Sequence, residues 1–161
     1  MRRGENAAFG EPRCVLLVCS SGGHLAQLLA LRPWWQARER SWVTFETPDA
    51  SSQLEGESVD FAHFPTTRNV PNLLRNCAVA AKVLRRRRPD VIVSTGAGVA
   101  IPFFVLAKLL GIQTIYVEVY DRVTSRTVTG CVCRPLSSVF CVQWPEQQSL
   151  YPGSAVIGSL L

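Results

Sequence analysis

The 161-residue chain contains no apolar run of the roughly 18 residues that a bilayer-spanning helix needs. Its longest run, residues 99–110, is interrupted by Lys108. The opening stretch MRRGENAAFGEPR is polar and has no h-region, so no signal peptide is expected and the chain is expected to stay in the cytoplasm. No GxxxxGK[ST] loop occurs, and no GxGxxG, which removes the Walker and dinucleotide fingerprints. There is no internal repeat and no low-complexity tract. Lysine is scarce: of 17 cations only Lys82 and Lys108 are lysines, and the net charge is +5. A basic surface points to an anionic partner, but no nucleic-acid module and no basic face interleaved with aromatics is visible. Lipid headgroups or a phosphorylated substrate therefore fit better than nucleic acid. The six cysteines lack zinc spacing, since Cys131-Val132-Cys133 has no nearby histidine. They are expected to be reduced, with Cys14, Cys19 and Cys141 as small core residues, and no metal or cofactor is expected.

What the chain does have is a globular composition, 47% hydrophobic and 18% charged, and a length that suits one domain with a real core. Residues 1–13 read as a flexible tail and 14–161 as one domain. The apolar run at residues 14–19 reads as a buried parallel strand. It is followed by a turn at 20–23 and a helix over 24–31 that Pro33 closes or kinks. WVTF at 42–45 reads as a second strand, 47–58 as a loop with room for a short helix, and 59–64 as a third strand. Asn69 is placed to cap a helix starting near Val70-Pro71, with Leu73, Leu74, Cys77, Ala81 and Leu84 on one face. That helix ends in Arg85, Arg86, Arg87 and Arg88, cations that suit a helix C-terminus and also a patch for anionic membrane. Further strands are expected at 91–94, 114–119, 139–142 and 156–157. A helix at 103–110 is ended by Gly111. Residues 121–134 read as irregular.

Strands alternating with helices imply an α/β, Rossmann-like, mostly parallel sheet with helices on both faces. In such sheets ligands gather at the carboxyl ends of the strands. Three features fall there: Ser20-Ser21-Gly22-Gly23-His24, Thr95-Gly96-Ala97-Gly98, and Glu118. Glycines after a strand let a ligand approach the backbone, and the following helix start favours an anion. His24 at a helix start reads either as a general base or as a cap that only contacts the loop. The TGAG turn reads either as a second ligand loop or as close strand–helix packing. Glu118 lies in an apolar strand, where a lone carboxylate is costly, so it needs a partner or a cleft. Arg122 and Arg126 are the candidate partners, and a substrate-contacting acid is the other reading.

SSGGHLAQLLAL, then RPDVIVSTGAGVAIPFFVLAKLLGIQTIYVE, then RV, TGCV and VFCVQWPEQQSLYPGSAVIGSL, in that order, resemble the acceptor-side subunit of split UDP-sugar glycosyltransferases. One branch is the membrane-recruiting subunit of the two-chain N-acetylglucosaminyltransferase of N-glycan assembly. The other is the PssD-type or CpsF-type protein of capsule and exopolysaccharide synthesis. The resemblance implies the N-terminal, Rossmann-like half of a GT-B glycosyltransferase. A donor-binding partner subunit would supply the other half, and a UDP-sugar would lie in the shared cleft. The acceptor would be a lipid-diphosphate-linked glycan on the cytoplasmic face of a membrane. Carried over, Ser21, Gly22, Gly23 and His24 would face the acceptor diphosphate, Thr95, Gly96 and Gly98 would form a second rim loop, and Glu118 and Arg122 would match the family's Glu and Arg after the fifth strand. The segment from Gln143 to Gly158 would pack towards the partner. The pattern departs from the family at Val119, where Ser is frequent, and at Cys131, where Lys is frequent. The eukaryotic branch starts with a membrane anchor, which favours the bacterial branch here. Peripheral membrane contact would then fall to Arg85–Arg88 and to Trp34-Trp35, whose other reading is core packing.

The expected function is sugar transfer within a two-component enzyme, with His24 the candidate base and Glu118 a weaker catalytic candidate. Two alternatives belong to other classes: a non-catalytic recruiter of the partner, and a free-standing nucleotide-binding Rossmann protein.

Overall fold

The computed structural model describes residues 11–66 and 68–161. The first ten residues of the expected tail lie outside the described residues. Of the rest of it, Arg13 is tied down: its N–H and that of Cys14 donate to Asp90 Oδ2, both at 2.9 Å.

Among the described residues seven strands form one sheet in the order β3-β2-β1-β4-β5-β6-β7, and every pairing between them is parallel. They are β1 (Cys14–Val18), β2 (Glu39–Phe45), β3 (Val59–Ala62), β4 (Val91–Ser94), β5 (Gln113–Val117), β6 (Val139–Val142) and β7 (Ala155–Val156). Alternate residues of β1 enter two different cores, which is why its sequence is apolar without a break. Leu16 and Val18 join Val43, Ile92, Phe103, Phe104 and Tyr116 on one side. Val15 and Leu17 join Leu25, Leu28, Trp35, Trp42 and Val93 on the other. The first side is covered by α4 (Val70–Arg87) and α5 (Ala100–Leu110), the second by α1 (Gly23–Ala30), α2 (Arg32–Trp35) and α3 (Pro48–Gln53). Helices on both faces of a Rossmann-like sheet are thus what the alternation implied.

Several details differ from the sequence reading. β2 begins three residues before Trp42, because Arg40 is carried on the strand by a bidentate pair with Glu57 (2.6 Å). β3 stops at Ala62, leaving 63–66 as a loop. α4 starts as expected on the Asn69 cap, whose side chain accepts from Asn72 N at 2.9 Å. Its buried face is rotated, however: Asn72, Asn76, Ala80, Val83 and Leu84 point inward, while Leu74 is exposed. The reason is polar. Asn76 Oδ1 accepts from His63 N and its Nδ2 donates to His63 O, and Asn72 Nδ2 donates to Pro65 O. Segment 121–134 is not wholly irregular, since it holds α6 (Val128–Cys133), capped by Thr127. A short α7 (Gln147–Leu150) precedes β7. Trp35 is buried edge-on against Trp42, so its reading as a membrane contact is corrected to core packing. Cys19, Cys133 and Cys141 are buried and Cys14 half-buried. Among the described residues no His/Cys/Asp/Glu cluster is arranged to hold a metal, and no helix is long and apolar enough to cross a membrane.

Candidate functional site

Strand order reverses between β1 and β4, and at that point the loops following the two strands meet. His24 Nδ1 lies 2.7 Å from the Thr95 carbonyl, and Thr95 Oγ1 donates to the His24 carbonyl at 2.7 Å. A carbonyl only accepts, so Nδ1 carries the proton and Nε2 is left as the proton-accepting nitrogen of the neutral ring. The Thr95 hydroxyl is committed to this tie, which makes it a positioning group for His24. Gly96, at φ 111°, is obligatory here: a Cβ would lie 3.0 Å from the Tyr116 hydroxyl and 3.1 Å from His24 Cε1. Ala97 at φ 67° stands in the left-handed region, a conformation that costs a residue with a Cβ about 1–2 kcal/mol.

Beside this junction lies a cavity of about 630 Å³. Four of the residues expected at the site line it: His24, Gly98, Glu118 and Arg122. Ser21, Gly22, Gly23, Thr95 and Gly96 do not line it. The first three form the entry to α1, and the last two stand behind His24. Gly22 begins α1 at φ 73°, with no side-chain cap and no acid in the first turn. α5, which follows Gly98, also starts without a side-chain cap and without an acid. α4 and α6, by contrast, are capped by Asn69 and Thr127. Both helix starts flank the reversal point, but they differ. The N–H groups of Ala100 and Ile101 donate to the carbonyls of Ala97 and Gly98, and Pro102 has none. It is therefore the start of α1, whose first intrahelical bond is Ala26 N to Gly22 O, that offers N–H groups and a positive dipole end to an anion. Arg122 is exposed on the cavity wall and, among the described residues, forms no ion pair.

Glu118 is fully buried, and its partners are not the arginines expected from sequence. Oε2 accepts from the Tyr151 hydroxyl at 2.5 Å and from Thr127 Oγ1 at 2.9 Å, and Oε1 accepts from Val119 N at 3.0 Å. Arg126 instead lies over the Tyr151 ring, 5.8 Å from its centroid, and Arg122 faces the cavity. The carboxylate thus anchors the loop after β5 to α6 and to Tyr151. Gly130 makes room for it: a Cβ there would fall 2.1 Å from Glu118 Oε2. Burial, and then the Glu118 charge, push the Tyr116 phenol well above its ordinary range and the Cys133 thiol up to about 12. Tyr116 therefore stays a neutral hydroxyl at the cavity wall.

Sequence reasoning missed a chain of buried glutamines beneath the site. Gln143 Nε2 donates to Gln27 Oε1 of α1 (2.5 Å) and to the Glu118 carbonyl (2.9 Å), while its Oε1 accepts from Leu160 N. Gln147 Nε2 donates to the Val119 carbonyl at 2.8 Å. Gln143, Gln147 and Tyr151 of the segment expected to pack towards a partner therefore point inward, whereas Val156 and Ile157 are exposed. The loop after β3 was missed too. Phe64, Pro65 and Thr66 line the cavity, and Thr66 Cβ would stand 3.1 Å from a Cβ on Gly98. No local signal marks these residues; only the topology brings them to the rim.

A family model described as "Oligosaccharide biosynthesis protein Alg14 like" matches residues 15–160. The chain is 27% identical to the human protein "UDP-N-acetylglucosamine transferase subunit ALG14", over 94% of this chain and 84% of that one. It is also 27% identical to the Candida albicans protein of the same name, over 90% and 77%. Among solved structures it superposes on Acinetobacter baumannii MurG with a TM-score of 0.72 at 19% identity. That match covers 91% of this chain but 44% of MurG, so the chain spans less than half of that structure, and the likeness shows the fold alone.

Proposed function

The chain belongs to the Alg14-like family of oligosaccharide biosynthesis proteins, and from that premise we propose that it is the acceptor-side subunit of a two-component UDP-sugar glycosyltransferase. Its human and Candida relatives are named as subunits of a UDP-N-acetylglucosamine transferase, which supports that sugar as donor. The acceptor is a lipid-diphosphate-linked glycan of polysaccharide or oligosaccharide biosynthesis. The uncapped start of α1 and the Arg122 guanidinium bind its diphosphate oxygens. Nε2 of His24 takes the proton from the attacking acceptor hydroxyl. That oxygen bonds to the anomeric carbon from the face opposite UDP, which leaves with the bonding electron pair, so the configuration inverts. Tyr151 and Thr127 hold Glu118, which positions the loop bearing Arg122. The observation that carries this reading is the reciprocal pairing of His24 with Thr95 at the point of strand reversal.

The donor-binding half comes from a partner. A small apolar recess, lined by Leu31, Trp34, Val93, Ile115, Val117 and Ile157, lies on the face opposite α4 and α5 and supports partner contact beside the exposed Val156 and Ile157. Peripheral attachment to the cytoplasmic face of the membrane falls to the other side. There Arg85 and Arg88 border an apolar groove containing Leu106, Leu109 and Leu110, and Leu109 is 76% exposed. Arg86 and Arg87 are instead engaged by Asp60.

Co-expression with the candidate partner tests the reading. The two chains should copurify and transfer N-acetylglucosamine from its UDP-sugar to a prenyl-diphosphate acceptor. Copurification with transfer that is indifferent to His24 would favour the recruiter reading, which the apolar and basic groove on α4 and α5 supports.

A further inference from the structure

Phe64 is 54% exposed, yet the loop that carries it is fixed. His63, just before it, is gripped at both its N–H (2.8 Å) and its carbonyl (2.9 Å) by the buried amide of Asn76. Pro65, just after it, is held at its carbonyl by the buried Asn72 at 2.9 Å. Thr66 closes against Gly98. The Phe64 ring packs on Phe45, with centroids 5.4 Å apart and planes inclined by 37°, and more than half of the residue is open at the cavity wall. Two buried asparagines on α4 thus hold an aromatic ring half in water, an arrangement that contributes little to the core and suits contact with a ligand.

The cavity is two-sided. Phe45, Phe64 and Pro65 make one wall apolar, and His24, Asp121 and Arg122 bring polar and charged groups to the same space. A pyranose has that division of chemistry: C–H bonds on its flat faces and hydroxyls around its rim. A prenyl chain has only the apolar half and gains nothing from His24 or Asp121, while Arg122 is engaged by the diphosphate in either case. We propose that Phe64 is the platform on which the acceptor's first pyranose ring stacks, presenting a rim hydroxyl towards His24. This rests on the glycosyltransferase reading above. The asparagine grip makes Phe64 a substrate contact set in place before binding, so that no ordering of the loop is needed when the acceptor arrives.

The test uses the complex with the donor-binding partner, UDP-N-acetylglucosamine as donor, and N-acetylglucosamine on a short prenyl diphosphate as acceptor. Sugar-free prenyl diphosphate serves as a competitive inhibitor. Phe64→Leu keeps an apolar side chain but removes the ring, and it should raise the acceptor KM about tenfold with kcat within about twofold. The inhibition constant of the sugar-free compound should stay unchanged, and Phe64→Trp should keep KM within about threefold of wild type. Thermal unfolding of both variants checks that each is folded. An unchanged KM in Phe64→Leu overturns the proposal. So does a parallel tenfold rise in the inhibition constant of the sugar-free compound, which assigns Phe64 to the prenyl chain. A wild-type complex that transfers no sugar overturns the function beneath the proposal and the proposal with it.

Discussion

At the scale of single residues, the site depends on atoms that leave no room for others. Glu118 can sit buried because Tyr151, Thr127 and the Val119 N–H supply its hydrogen bonds and because residue 130 has no side chain. Gly130→Ala should therefore lower the free energy of unfolding by about 2 kcal/mol or more, since the added carbon must displace the carboxylate or the helix. Gly23→Ala, where nothing lies within 4 Å of the new carbon, should change it by less than about 1 kcal/mol. Urea unfolding of the two variants checks the contrast. Thiols give a pH prediction. Burial pushes Cys19 up to about 12 and Cys141 up to about 11, and burial with the Glu118 charge pushes Cys133 up to about 12. Unfolded thiols ionise near pH ~8.5. The unfolded chain therefore sheds these protons first, so the stabilisation is fully present below about pH 8.5 and is lost as pH rises through the folded values. Urea midpoints should be flat from pH 7 to 8 and should fall by pH 10, and Cys141→Ala should lessen that fall.

At the scale of elements, the strands and helix starts were legible because each is local. An unbroken apolar run marks a strand buried on both faces, as at β1, and Asn69 before Val70-Pro71 marks a helix start. The facing of α4 was not legible. Apolar spacing selected Leu74, but the buried positions go to Asn72 and Asn76, whose amides satisfy the backbone of a loop remote in sequence. Polar residues chosen for distant partners are invisible to a periodicity of hydrophobicity, and the same holds for Gln27, Gln143 and Gln147. Glu118 was recognised as needing a partner, yet Tyr151 lies 33 residues away and carries no mark of that role. The rim loops were legible as glycine-rich turns after strands, whereas the β3 loop with Phe64 was not, because it has no such punctuation. Asn76→Leu should cost about 1–3 kcal/mol by leaving the His63 N–H and carbonyl without partners. Hydrogen exchange at the His63 amide should accelerate by more than the global loss of stability explains.

At the scale of the whole molecule, the surfaces divide by role. The carboxyl rim of the sheet carries the cavity, the face over β4 to β6 carries an apolar recess, and the C-terminal ends of α4 and α5 carry exposed Leu109 and Leu110 beside Arg85 and Arg88. Replacing Leu109 and Leu110 by Asp should weaken sedimentation with vesicles containing anionic lipid at least about tenfold while leaving transfer to a detergent-solubilised acceptor unchanged. Equal sedimentation would move membrane contact elsewhere. The proposed function centres on His24, where a backbone carbonyl fixes the proton on one ring nitrogen and leaves the other free to accept one. The measurement that reaches it most directly is steady-state transfer by the two-chain complex carrying His24→Gln, a side chain that can still donate to the Thr95 carbonyl but cannot accept the acceptor's proton. The account predicts a kcat about 100- to 10,000-fold below wild type with acceptor KM within about threefold. A kcat within about twofold of wild type would contradict it.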